Sequence, residues 1–242
     1  MVKTVSSLDH QTTARKDPRF IVELVGPAGG GKTSLTGALC ASHEGTRFEQ
    51  LRPPYFRQVT DMPFFVRHTL PLVPLIAREY SGHQGRGLNR TEIALMVILG
   101  GWSSVLTQQA SNLNAIALLD QGPVSMMSYL RVHRPGLPTG KVTQEWWNAM
   151  FRRWADTLDL IIWLDASIPT LIERVVTRDD WHPIKTLPGQ AAADLLTHYQ
   201  AVYEQVIPAL AAEASGPQVL RFDTETKSTD QLCAKVRAML SK

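Results

Sequence analysis

An eight-residue stretch, Gly26-Pro27-Ala28-Gly29-Gly30-Gly31-Lys32-Thr33, constrains this chain more than any other. It follows the apolar run Phe20-Ile21-Val22-Glu23-Leu24-Val25 and leads into Ser34-Leu35-Thr36-Gly37-Ala38-Leu39. The order reads as strand, glycine-rich turn and helix, with the spacing G-x-x-x-x-G-K-[ST]. Glycines reach positive φ and let successive backbone N–H groups face one anion. The helix that begins near Lys32 turns its positive end to the same point. In such a loop the lysine reaches β- and γ-phosphate oxygens, and the Thr33 hydroxyl is placed to ligate Mg²⁺. Gly26, Ala28, Gly29, Gly30, Gly31, Lys32, Thr33 and Ser34 are the expected phosphate cradle.

Beyond the loop the chain alternates strands with helices. Strands are expected at 20–25, 47–51, 115–120, 160–165 and 219–223, and helices at 32–42, 90–110, 143–158, 169–178, 191–212 and 229–240. Ala115 to Leu119 and Leu160 to Leu164 are continuous apolar runs, each ending in an acid, Asp120 and Asp165. Such runs suit strands buried on both faces of a parallel sheet. The expected fold is α/β, a three-layer α/β/α arrangement with a mostly parallel five-stranded sheet. Ligands in such sheets sit beyond the carboxyl ends of the strands, which places the glycine-rich loop, Asp120 and Asp165 along one edge.

Residues 1–18 are polar and read as a flexible leader, with one domain over 19–242. Within it, about 51–112 forms a helical insertion broken by Pro63, Pro71 and Pro74. The run from Ile93 to Leu106 is interrupted by glycines and serines and falls short of the ~20 apolar residues that a bilayer span needs. No membrane association is expected, and a net charge of +3 gives no basis for nucleic-acid binding. Cys40 and Cys233 lie far apart, form no ligand spacing and read as buried thiols of a cytoplasmic protein. Trp147, Phe151 and Trp154 recur at helical spacing and read as a core stripe.

The loop also fits the tighter form G-x-x-G-x-G-K-T through Gly26, Gly29 and Gly31. With Leu118-Leu119-Asp120-Gln121-Gly122-Pro123, with Leu164-Asp165 followed by Leu171-Ile172-Glu173-Arg174-Val175-Val176-Thr177-Arg178, and with the closing Arg221-Phe222-Asp223-Thr224, the chain resembles the thymidylate kinase and deoxynucleoside kinase branch of phosphate-loop kinases. The resemblance spans roughly residues 20 to 240. It implies ATP and Mg²⁺ as cofactors and a small-molecule phosphoryl acceptor. It also implies an acceptor region over about 51–112, a lid over about 174–190 and a nucleotide-base loop at Thr224. Two departures stand out. Gln121 occupies the place of the family's arginine after the strand-end acid, and no F-x-x-x-R pattern is present, the helix reading Leu99-Gly100-Gly101-Trp102-Ser103-Ser104. A thymidine nucleotide is therefore not the expected acceptor.

Phosphoryl transfer needs in-line positioning, a metal and positive charge on the migrating group. Asp120, at a buried strand end, is expected to serve the metal or to accept the acceptor's proton. Glu49 is the rival base. Arg174 and Arg178, four apart, are expected on one helical face over the phosphates. The segment from Leu51 to Thr91 holds six arginines and no lysine. Guanidinium forks suit anionic groups, so Arg52, Arg57, Arg67 and Arg90, with Gln121, are the expected acceptor contacts. A phosphate-loop ATPase acting on a protein partner is the alternative, and a homodimer is left open. No N-K-x-D segment supports a GTPase.

Overall fold

Val22 and Leu24 are fully buried on one face of the first strand, and Ile21 and Val25 are buried on the other. This is the pattern of a strand covered on both sides. The computed structural model describes residues 20–41, 46–81, 87–137 and 141–240. The expected leader and Arg86 lie outside the described residues.

The sheet has five strands, β1 (Ile21–Val25), β2 (Phe48–Gln50), β3 (Ile116–Leu119), β4 (Leu160–Asp165) and β5 (Gln218–Asp223). They run in the order β2-β3-β1-β4-β5, and every pair is parallel. The chain moves from β1 past β3 to the β2 edge, returns to β3, then crosses to β4 and β5. The order thus reverses beside β1, where the glycine-rich loop leaves the sheet.

One layer holds α1 (Lys32–Ala41) and α9 (Thr229–Leu240), whose Leu35, Leu39, Leu232 and Val236 pack with Val22, Leu24, Leu118 and Ile162. Cys40 and Cys233 lie in these helices as free thiols. Both are half-buried at the rim of this cluster, not fully buried as their residue type suggests. The opposite layer is larger. It includes α4 (Arg90–Ser111), α5 (Pro123–His133), α6 (Lys141–Ala155) and α8 (Gly189–Ala211), around Trp102, Met127, Trp147, Phe151 and Trp154. The expected aromatic stripe of α6 is thus core. Trp102 and Trp154 lie 5.9 Å apart, and the Trp154 indole donates to the Leu99 carbonyl at 3.0 Å. A third cluster joins α7 (Ile168–Thr177) to the start of α8.

Sequence periodicity passes over α5, which starts with Pro123 directly after Gly122. Proline at the first helical position is well placed to begin a helix. The arm after β2 carries α2 (Met62–Thr69) and α3 (Val73–Ser81), joined by a 3₁₀ turn at Leu70–Leu72. Its inner residues Phe65, Leu72 and Leu75 join the core, while Val59, Met62, Val66, Leu70 and Val73 stay exposed. Gly101 of α4 lets α2 come close: a Cβ there would lie 2.4 Å from the His68 ring. Asn89 and Glu92 form a capping box that fixes where α4 begins.

Candidate phosphate-binding site

The loop between β1 and α1 is shaped by its glycines. Gly26 has φ of 145°, and a Cβ there would lie 2.1 Å from the Leu164 carbonyl oxygen. Gly29, at φ 83°, would press on the Leu171 carbonyl. No other residue fits these positions, since each needs both a positive φ and close backbone approach. Gly31, also at positive φ, faces open space. The loop is closed by Gly30 N–H donating to the Pro27 carbonyl at 3.1 Å, and α1 begins with Leu35 N–H donating to the Gly31 carbonyl at 3.0 Å. Ala28 packs against the cluster around Leu171, whereas Thr33 and Ser34 are exposed at the first turn of α1.

Lys32 donates its ammonium to the carbonyls of Gly26 and Pro27, at 2.7 and 3.0 Å. The residue keeps some surface, but these carbonyls enclose its charged end. Loss of hydration pushes its pKa down to about 8, opposed by the pull of Asp120 and reinforced by Arg178. The Gly26 carbonyl is held from the other side by the buried Tyr203 hydroxyl, which donates to it at 3.2 Å.

Asp120 follows β3 directly, and the Thr33 hydroxyl donates to its Oδ2 at 3.1 Å. Its Oδ1 is buried with no hydrogen-bond partner. A buried, unpartnered carboxylate oxygen beside a threonine hydroxyl is a donor set for a hard cation that completes its shell with phosphate oxygens and water. No group of three or more His, Cys, Asp or Glu able to hold a metal occurs among the described residues. Thr33 and Asp120 thus fit Mg²⁺ shared with a phosphate ligand better than an all-protein metal cage. The β3 end also brings Gln121 to the surface beside Asp120.

Glu49 lies lower. It pairs across the ladder with Ala117, three residues before Asp120. That is about 10 Å along the strand direction. Its charge instead acts on Cys40, whose pKa is raised mainly by burial.

Arg174 and Arg178 do not share a helical face. The helix α7 ends at Thr177, and Arg178 has extended backbone, so the i, i+4 geometry is lost. Arg174 turns inward. Its guanidinium donates to the Thr224 hydroxyl at 2.8 Å, to the Thr224 carbonyl at 2.9 Å and, at 3.4 Å, to the Gly29 carbonyl. It therefore ties the phosphate loop to the loop after β5. Thr224 is buried and also donates to the Asp165 carbonyl at 3.1 Å. Arg178 is exposed, 3.9 Å from Asp180, and Lys185 donates to its carbonyl. Asp165 itself serves the sheet edge, pairing with Arg221 at 2.5 Å.

The arginines of the arm stay at the surface. Arg52 lies in the segment after β2, Arg57 sits 5.7 Å from the Phe56 ring, Arg67 lies in the last turn of α2, and Arg90 opens α4. None of the four makes an ion pair among the described residues.

One residue of the site region escapes the sequence reading. Glu23 sits in the middle of β1, is 0% exposed, and faces the start of α5. A lone acid in an apolar strand was the available signal, since burying one without partners is costly.

Neither a family model nor a curated protein matches this sequence. Similarity to solved structures is extensive. Deoxyadenosine kinase from M. mycoides with bound dATP superposes with a TM-score of 0.52 at 15% identity, covering 91% of this chain and 99% of that one. The same enzyme with the products dCMP and a flexible dCDP gives a TM-score of 0.51, at 15% identity over 91% and 98% of the two chains. The chain therefore has the fold that deoxyadenosine kinase carries, at low sequence identity.

Proposed function

We propose that this protein transfers the γ-phosphoryl group of ATP, with Mg²⁺, to a small anionic or nucleoside-like acceptor in the cytoplasm. The observation that carries the reading is the pairing of Thr33 with Asp120 at 3.1 Å beside the glycine cradle, with Asp120 Oδ1 buried and unpartnered. Backbone N–H groups between Gly26 and Ser34 hold the phosphate tail. Lys32, released from the Gly26 and Pro27 carbonyls, moves its charge onto the β- and γ-oxygens. Thr33 and Asp120 would hold the metal, which would neutralise the charge of the phosphates.

Thr224, fixed by Arg174, lines the base side of the nucleotide. Arg178, outside the helix and exposed, is the residue free to cover the transferring group from the lid at 174–190. With Asp120 assigned to the metal, an acceptor that is already an anion needs no separate base, and Glu49, whose register sets it back from the strand ends, is the rival base for a hydroxyl acceptor. Arg52, Arg57, Arg67, Arg90 and Gln121 are the candidate acceptor contacts, in the arm at about 51–112. The M. mycoides enzyme binds dATP and the products dCMP and dCDP, which supports a nucleoside or nucleotide over a sugar.

An ADP-release screen tests the reading. ATP·Mg²⁺ is offered with nucleosides, nucleoside monophosphates and phosphorylated sugars. Acceptor-dependent ADP release that is lost in Lys32→Ala is the expected result. Acceptor-independent ADP release, or none with any acceptor class, contradicts it.

A further inference from the structure

The carboxylate of Glu23 is enclosed by donors that all belong to the first turn of α5. Its Oε2 accepts the Val124 N–H at 2.9 Å, and its Oε1 accepts the Ser125 N–H at 3.0 Å and the Ser125 hydroxyl at 3.1 Å. Gly122 lies against the same group: a Cβ there would come within 2.5 Å of the Glu23 carboxyl carbon and 2.7 Å of Oε2. A single residue, Gln121, separates Gly122 from Asp120 in sequence. Glu23 therefore fixes the far end of the short connection that carries Asp120 to Thr33.

The same carboxylate belongs to a buried network under the phosphate loop. Tyr203, whose hydroxyl donates to the Gly26 carbonyl at 3.2 Å, lies close enough to Glu23 to feel its charge. That carbonyl is the one that receives Lys32. One acid in β1 thus reaches both halves of the site, the loop through Tyr203 and the strand-end acid through α5.

We propose that Glu23 is a positioning residue: its buried carboxylate clamps the start of α5 to β1 and so holds Asp120 where it meets Thr33 and the metal. The inference rests on the phosphoryl-transfer reading above. An anion is the right group for the place because backbone N–H donors approach both of its oxygens, and a carboxylate can accept from all of them. A positive helix end favours the same charge. Burial opposes it, raising the Glu23 pKa to about 7. A structural acid that merely filled space would be an apolar residue at lower cost.

Glu23→Gln is close to isosteric but turns an amide N–H toward at least one backbone N–H, so it breaks the clamp with little change in volume. The experiment measures ATP affinity with and without Mg²⁺, together with the Mg²⁺ dependence of turnover, in the full-length protein. The parent is expected to bind ATP more tightly with Mg²⁺ than in EDTA. Glu23→Gln should keep metal-free ATP affinity within about twofold while its Mg²⁺ requirement rises roughly tenfold or more, the scale seen when a partner behind a metal ligand is removed. Because Glu23 acts through Asp120, Glu23→Gln combined with Asp120→Asn should be no worse than Asp120→Asn alone. Gly122→Ala, which presses on the carboxylate from the other side, should reproduce the shift. Ser125→Ala, which removes one hydroxyl and leaves both backbone bonds, should move the Mg²⁺ requirement in the same direction by less, and covers the case in which the stronger variants fail to fold. An unchanged Mg²⁺ requirement in the folded variants, or additive losses in the double variant, overturns the proposal and leaves the function intact. A parent that binds no ATP·Mg²⁺ removes the phosphoryl-transfer reading itself.

Discussion

Arg174 grips Thr224 twice, through its hydroxyl at 2.8 Å and its carbonyl at 2.9 Å, and thereby joins α7 to the loop after β5. Arginine at such a place acts as a two-pronged strut, which lysine cannot replace. Arg174→Ala should destabilise the fold by about 1.5–3 kcal/mol, the range for hydrogen bonds involving a charged group. Arg174→Lys should recover little of it. Urea unfolding measures the loss, and a nucleotide titration should show weaker binding in both variants. A drop in turnover with unchanged stability and affinity would make Arg174 a lid arginine instead.

Lys32 titrates near 8 in the free protein. Phosphate oxygens favour the charged ammonium, so its pKa rises when nucleotide binds. Binding is then strongest below pH 8 and weakens as pH rises through that value, by at most about tenfold per pH unit for one linked proton. Calorimetric titrations at pH 7, 8 and 9, in buffers of differing ionisation enthalpy, should show proton uptake growing above pH 8. Lys32→Arg removes the titration and should flatten this profile. Affinity that rises between pH 7 and 9 contradicts the assignment.

Neighbouring glycines in α4 should respond in opposite directions. A Cβ at Gly101 meets the His68 ring at 2.4 Å, whereas one at Gly100 meets nothing within 4 Å. Gly101→Ala should cost about 1–3 kcal/mol through overpacking between α2 and α4. Gly100→Ala should add roughly 0.5–1 kcal/mol by restricting the unfolded helix segment. Thermal unfolding of the two variants separates them, and a destabilised Gly100→Ala would show that α4 needs flexibility there.

Glu23 makes stability depend on pH in a direction unusual for a carboxylate. Burial pushes its folded pKa up to about 7, above the ordinary carboxylate value of 4.5. The folded state therefore binds the proton more tightly, and this contribution is complete below pH 4.5 and lost as pH rises through 7. The full difference is of order 3 kcal/mol at 1.36 kcal/mol per pKa unit. Melting temperatures of the ligand-free parent, followed from pH 5 to 8, should fall relative to Glu23→Gln. Parallel profiles would show that Glu23 does not titrate in this range.

Much of this arrangement is legible in the sequence because it rests on local patterns. The spacing of Gly26, Gly29, Gly31 and Lys32 specifies a backbone shape, and the runs ending at Asp120 and Asp165 specify buried parallel strands. The failures have a common cause in contacts made across the fold. Arg174 and Arg178 look equivalent at four-residue spacing, yet α7 stops between them, and long-range bonds to Thr224 and Gly29 set the direction of the first. Glu49 belongs to the short segment read as the second strand, but the β2–β3 register pairs it with Ala117, three residues before Asp120. Helix α5 is hidden because buried residues lie nearly all round it, with Val124, Met126, Met127, Ser128, Leu130 and Val132 all enclosed, which weakens the periodic signal. Glu23 is one letter in an apolar run, and only the fold brings its partners, about one hundred residues away, to its side.

The central claim is that the backbone from Gly26 to Thr33, with Lys32, holds a nucleotide triphosphate beside a metal. Isothermal titration of the purified protein with ATP·Mg²⁺, alongside Lys32→Ala, tests it most directly. Saturable binding in the parent that weakens in the variant is the predicted result. No heat from the parent with any purine triphosphate and Mg²⁺, or equal affinity in both proteins, contradicts it.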